Sequence, residues 1–284
     1  MSMNDRVVFI ADAFADQLPG GGELNNDILI KMLGEEGLTI LPINSGGVVP
    51  LLIEHHANDK FIVANFMALR EDCRNALYDK KYIIYEHDHK YLKSRNPADF
   101  SDYEVPPDDI INAEFYKNAL AVICQTQFHA DIVKKNLNLD NIISVGGNLW
   151  SDEILDLLQE ISEKPKEDKC SIMISNNWHK NTDGAVKFCE SNDLPFELIQ
   201  PASYKDFLSN LGKNTKLVFF PHTPETLSRI VVEARMMGMG VVTSNQVGAT
   251  KEEWFQYKGA ELIDIMRRKK TEICNTVRDL LNGE

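Results

Sequence analysis

Residues Leu217–Ser244, LVFFPHTPETLSRIVVEARMMGMGVVTS, decide how this chain is read. An apolar run ends at Phe220 and a polar turn follows. A helical pattern then passes through Ile230, Val231, Val232 and Ala234, and Gly238 and Gly240 close it before a second apolar run at Val241. Strand, turn, helix and strand in this order predict a βαβ unit, and α/β proteins bind ligands at the carboxyl ends of such strands. Within it, Glu225 and Glu233 flank Arg229. One reading is structural: Thr223 as N-cap, Pro224 at the first helical position and Glu225 in the first turn start a helix, on which Glu225, Arg229 and Glu233 form an ion-pair ladder. The other is a site, because apolar residues interleave with the charges and leave no broad solvated face. The two glutamates fit a hydrolase pair poorly. Eight helical steps separate them by about 12 Å of rise and about 80° of azimuth, whereas paired glycosidase carboxylates act roughly 5 to 9.5 Å apart.

The same alternation extends in both directions. Arg6–Phe14, RVVFIADAF, reads as a buried strand, followed by a turn at Pro19-Gly20-Gly21-Gly22-Glu23 and a helical pattern through Leu24, Ile28, Leu29, Met32 and Leu33. Further strands are expected at Leu38–Ile43, Phe61–Ala64, Tyr82–Tyr85, Ala119–Cys124 and Ile142–Val145. The loop Lys90–Asp109 holds three prolines and little periodicity, and loops of that length usually border a site or move. A helix over Asp152–Ile161 runs into EKPKEDK, a charged segment with no apolar residue, which marks a domain boundary. Strands then recur at Cys170–Ser175, Phe196–Ile199, Lys216–Phe220 and near Glu261–Ile263, with helices over Asp183–Cys189 and Tyr204–Leu211. The expectation is an α/β protein of two domains, residues 1–163 and 164–265, each a parallel sheet covered by helices. A closing helix over residues 266–284 can pack back on the first domain.

Composition narrows the function. The 284 residues suffice for two cores, and 43% hydrophobic with 26% charged residues is ordinary for a globular chain. A formal charge of -13 opposes long-range attraction of the whole molecule to nucleic acid or anionic lipid. Five scattered cysteines without a CxxC pair imply neither a disulfide framework nor a zinc site, which fits a reducing cytoplasm. No signal-peptide core is expected at the N-terminus, and no apolar run approaches the roughly 20 residues that cross a bilayer.

ETLSRIVVEARMMGMGVVTS resembles the E-x7-E signature of retaining glycosyltransferases with the GT-B fold, especially the large family 4. The resemblance extends to the glycine turn after the first strand, to Glu86-His87-Asp88 after a mid-domain strand, to AVICQTQFHADIV followed by a glycine turn, and to a lysine early in the second domain. It thus spans nearly the whole chain in the family's order. It implies two Rossmann-like domains facing a central cleft, the first for the acceptor and the second for a nucleotide-sugar. Glu225 would meet hydroxyls of the donor sugar and Glu233 the ribose. Thr226, Leu227, Ser228 and Arg229 would form the donor-facing turn, where helix N-termini favour anions.

Lys180, in SNNWHKNTD, matches the family lysine on the diphosphate leaving group; read alone it is a solvated loop lysine. The arginine usual five positions earlier is Ser175 here, and Arg229 is a candidate to compensate. His87 matches the histidine that orients the donor sugar. A metal is the other reading of Glu86-His87-Asp88-His89, since alternate residues at a strand end can face one side. The resemblance implies no metal and no cofactor beyond the nucleotide-diphosphate sugar as co-substrate. Gly21 and Gly22 would let backbone approach phosphates or acceptor, or simply form a tight turn. The acceptor implied is a hydroxyl of a saccharide or small molecule. A hydroxymethylated base in DNA, as for some phage enzymes of this fold, is an alternative, and a non-catalytic nucleotide-sugar-binding module is another.

Overall fold

Strands buried on both faces require a parallel sheet with helices on each side. The computed structural model, which describes residues 6–18 and 20–283, contains two such sheets in two compact units. One unit comprises the residues up to Leu149 together with those from Lys270 onward; the other is Trp150–Lys269. The charged segment expected to separate them instead enters a strand at Glu167, and the division falls ahead of the helix at Asp152. Pro19 lies outside the described residues.

The first unit runs β1 (Arg6–Ala11), α1 (Gly21–Glu35), β2 (Thr39–Asn44), α2 (Pro50–His55), β3 (Lys60–Val63), α3 (Glu71–Leu77), β4 (Tyr82–Tyr85), α4 (Ala113–Lys117), β5 (Ala121–Cys124), α5 (Gln127–Leu137) and β6 (Ile142–Ser144). Its sheet is parallel throughout, in the order β2-β1-β3-β4-β5-β6. Strand alternation divides the core: Val8, Ile10, Phe61, Val63 and Ile84 pack on one face, and Val7, Phe9, Ile62, Ile83 and Tyr85 on the other. The long loop after β4 is built from short 3₁₀ turns and an antiparallel bridge between Leu92 and Ile110.

The second unit runs α6 (Asp152–Ser162), β7 (Glu167–Met173), α7 (Thr182–Ser191), β8 (Phe196–Ile199), α8 (Tyr204–Leu211), β9 (Asn214–Phe219), α9 (Arg229–Met236) and β10 (Gly240–Thr243), with sheet order β10-β9-β7-β8, again parallel. The strand expected near Glu261–Ile263 is the first turn of α10 (Ala260–Asn282). A three-residue apolar window does not separate strand from helix, but Leu262, Ile263 and Met266 and then Ile273, Cys274, Val277 and Leu281 recur at helical spacing, all buried. The first three join the core of the second unit and the last four that of the first.

Buried polar residues give the first unit a pH dependence. His89 is 2% exposed, its Nε2 has no partner among the described residues, and burial lowers its pKa from 6.5 to about 4. Burial pushes His129, whose ring lies 5.1 Å from that of His89, well down too. Both stay neutral in the fold while the unfolded chain takes up protons below its pKa of 6.5. Stability should therefore be full above pH 6.5 and decline as the pH falls toward 4, by about 1.4 kcal/mol per pH unit for His89 alone. Urea unfolding at pH 7.5 and 5.0 checks this, with a smaller pH effect expected for His89→Phe; an equal effect in the variant would contradict it. In the second unit, a Cβ on Gly212 would lie 2.3 Å from Ile161 Cγ2 and 2.8 Å from Met237 Sδ. Gly212→Ala should destabilise by about 1–3 kcal/mol in the same measurement, and an unchanged midpoint would show that the neighbours yield freely.

Candidate functional site

In an open parallel sheet, loops at the point where strand order reverses diverge to opposite faces and leave a crevice. In the second sheet that point lies between β7 and β9. The loop after β7 carries Lys180 and the loop after β9 carries Glu225. Although they are 45 positions apart, Lys180 Nζ lies 2.6 Å from Glu225 Oε1. The pair is partly open, with side chains 31% and 16% exposed, and the ammonium also sits 5.8 Å from the Phe219 ring centroid.

Glu225 is not on a helix. The Thr-Pro-Glu start is locally favourable, yet the chain continues extended: Glu225 donates its N–H to the Gln246 carbonyl at 2.8 Å and accepts from Gly248 N–H at 2.9 Å, forming a parallel bridge to Val247. The Leu227 carbonyl accepts from Ala249 N–H at 3.1 Å. Only at Arg229 does α9 begin, with Ser228 as N-cap in the left-handed region at φ 74°. Its hydroxyl is buried without a partner among the described residues and does not cap the helix. A non-glycine residue there costs about 1–3 kcal/mol and marks a turn that its surroundings over-determine. The ladder expected over Glu225, Arg229 and Glu233 is thus broken: Arg229 pairs with Glu233, whereas Glu225 pairs with Lys180.

Glu233 is 3% exposed; its Oε1 accepts from Trp150 Nε1 at 2.9 Å and Tyr204 Oη at 2.5 Å, and the Arg229 guanidinium forms an ion pair with it, Nε 3.4 Å away. The guanidinium stacks 4.5 Å from the Trp150 ring centroid and donates to Tyr204 Oη at 3.1 Å. Burial, and then the Glu233 charge, raise the Tyr204 pKa, so the phenol keeps its proton and donates. Trp150 and Tyr204 carry no motif, and only their proximity in the fold identifies them. Ser175 serves the turn that holds Lys180: its Oγ accepts from Asn177 N–H at 3.1 Å, and its own N–H donates to Thr182 Oγ1 at 3.2 Å.

In the first sheet, strand order reverses between β1 and β3. The α1 N-terminus follows β1 there, and Asn65, just past β3, donates to Glu23 at 3.1 Å. Gly21 and Gly22 open α1 and have no left-handed φ, so a tight turn is not what needs them. At Gly22 the need is space, because a Cβ would stand 3.3 Å from the His87 ring. His87 is held at both nitrogens, Nε2 2.7 Å from Asn26 Oδ1 and Nδ1 2.9 Å from Gln125 Nε2. Neither amide is foreseen by a motif, although Asn26 lies one helical turn beyond Gly22.

Glu86 and His89 face elsewhere. The fully buried Glu86 carboxylate accepts from Tyr116 Oη and from Lys90 Nζ at 2.7 Å, and Lys90 also meets Asp88 at 2.9 Å. Burial opposes the Lys90 charge, but the carboxylates of Asp88 and Glu86 outweigh it and hold the pKa above the ordinary range. This knot fixes the backbone on either side of His87. Among the described residues, no three of His, Cys, Asp and Glu cluster as metal ligands, and no helix is long and apolar enough to cross a membrane.

No family model matches the sequence, and no curated protein matches it. Solved structures do. Anabaena Alr3699/HepE in complex with UDP-glucose matches with a TM-score of 0.54 at 13% identity, over 97% of this chain and 92% of that one. An α-glucosyltransferase in complex with UDP and a 13-mer DNA containing a HMU base matches with a TM-score of 0.52 at 10% identity, over 98% and 99%. The pneumococcal O-GlcNAc transferase GtfA in complex with UDP and GlcNAc gives 0.51 at 10% identity, over 81% and 53%. The chain thus has the two-sheet α/β fold of these proteins, the GT-B fold.

Proposed function

We propose that this chain is a retaining glycosyltransferase of the family 4 type, moving a sugar from a nucleotide-diphosphate donor to an acceptor hydroxyl. The observation that carries the reading is the Lys180–Glu225 pair at the reversal point of the second sheet, with the start of α9 and the buried Glu233 following in the same βαβ unit. The cation suits a diphosphate, and Glu225 suits sugar hydroxyls. With Oε1 of Glu233 engaged by two hydrogen-bond donors and an ion pair, Oε2 is assigned to the ribose. The turn Thr226–Arg229 faces the phosphates, with Arg229 acting through Glu233. We assign the second unit to the donor, His87 to orienting the transferred sugar, and Gly21 and Gly22 to close backbone approach. UDP-glucose is the first donor to test, since that ligand is bound in one of the similar structures.

The proposed reaction is front-face. The bond from C1 to the leaving phosphate oxygen breaks, the acceptor oxygen bonds to C1 from the same side, and its proton passes to that phosphate. Lys180 and the α9 N-terminus stabilise the departing charge, a contribution that such preorganised groups make without reorganising. A hydroxymethylated base in DNA is the second acceptor reading. It is favoured by the near full-length match to the α-glucosyltransferase bound to HMU-containing DNA and opposed by the charge of -13. Transfer to such an oligonucleotide, against transfer to saccharides, separates the two.

Lys180→Ala should lower turnover by about 100-fold or more, measured as sugar transferred or donor hydrolysed. Unaltered rates would remove the leaving-group role. Glu233→Gln should weaken nucleotide binding by about tenfold by calorimetry, because a buried charge-assisted contact is lost, and unchanged affinity in a variant of unaltered near-UV circular dichroism would remove the ribose role. Proton NMR of the product should show the donor's anomeric configuration.

A further inference from the structure

An aromatic cluster beside the proposed donor site has no part in the reaction described above. The 3₁₀ turn Trp178–Lys180, which carries Lys180, also carries an indole that is 62% exposed. The other two tryptophans, Trp150 and Trp254, are 1% and 6% exposed. The His179 and His222 rings lie 4.3 and 5.1 Å from the indole, inclined by 33° and 34°. The turn is closed by His179 N–H donating to Asn177 Oδ1 at 3.0 Å and is pinned to the segment after β9, where His222 N–H donates to the His179 carbonyl at 2.9 Å and the Phe220 carbonyl accepts from Asn181 Nδ2 at 2.8 Å. A large apolar ring held in place at the surface offers contact area at low conformational cost to whatever binds it.

We infer that Trp178, backed by His179 and His222, is a stacking shelf for the pyranose ring of a saccharide acceptor. This rests on the donor site proposed above. In a nucleotide-sugar the base is separated from the transferred sugar by the ribose and two phosphates. Trp178 shares its turn with Lys180, the residue assigned to the diphosphate, and not with Glu233, assigned to the ribose, so it belongs to the reacting end. A pyranose lays its C–H face on the indole and leaves its hydroxyls at the rim, within the character of the imidazole nitrogens. A nucleobase would stack on the same face but needs a matching hydrogen-bonding edge.

The difference in exposure among the tryptophans makes iodide quenching of fluorescence a report on Trp178. The full chain is titrated with UDP alone, then with maltose or cellobiose at saturating UDP. One of the disaccharides should shield Trp178 saturably. Trp178→Ala should weaken that binding by at least about tenfold (about 1.4 kcal/mol) by calorimetry, with UDP affinity within about twofold of the parent, and Trp178→Phe should retain most of it. If UDP binds and neither disaccharide shields the indole, the shelf is refuted and the donor site stands. Shielding by UDP alone, with lost UDP affinity in Trp178→Ala, gives the ring to the donor and also overturns the inference. A chain that binds no UDP removes the donor site and the shelf with it.

Discussion

Strand order in the second sheet reverses between β7 and β9, and the candidate site depends on that constraint. Parallel strands need crossovers of fixed hand, so one connection leaves toward β8 and the next toward β10, and the loops ending β7 and β9 are left side by side. Nothing local brings Lys180 to Glu225. Their ion pair at 2.6 Å is a product of topology. As a partly exposed pair it adds little to stability, about 0–1 kcal/mol, so its chemistry matters more than its contribution to the fold. The backbone of Glu225 is fixed from another side, by the bridge to Val247, which extends the pairing of the sheet beyond the strands themselves.

The first unit uses the same rule differently. Its reversal point brings the α1 start against the loop after β3, and the groups gathered nearby are the Glu23 carboxylate, the amides of Asn26, Asn65 and Gln125, and the His87 imidazole. Glu86, Asp88 and Lys90 form a closed knot behind His87, where removing Lys90 would leave the buried Glu86 carboxylate without its cation. At Gly22 it is the approach of the His87 ring, and not the backbone dihedrals, that leaves tight room for a side chain. At its reversal point the second unit presents the partly exposed Lys180–Glu225 pair, whereas Glu233 is buried.

Much of the fold was legible in the chain. Tyr82–Tyr85, Phe196–Ile199 and Tyr204–Leu211 fall where periodicity places them, because buried runs bounded by turn residues leave little choice. The misreadings have physical causes. Thr223-Pro224-Glu225 satisfies every local rule for a helix start, but pairing with Gln246–Gly248, invisible in a local window, holds it extended until Ser228. Glu261–Ile263 was too short to distinguish from a helix turn. The charged segment after α6 resembled a linker, yet it feeds the solvent end of β7. In the site, residue types with known chemistry were visible, whereas Asn26, Gln125, Trp150 and Tyr204, which hold them, were not. Their roles come from distances that no spacing encodes.

The central claim is that the second unit binds a nucleotide-sugar through Lys180, Glu225 and Glu233. A thermal-shift series across UDP-, GDP- and ADP-sugars tests it most directly, because a ligand that binds only the folded chain stabilises it by about 2.7 kcal/mol at 100 times its Kd. The account predicts that one donor class raises the midpoint in a concentration-dependent way. A midpoint unmoved by every nucleotide-sugar at millimolar concentration would contradict it.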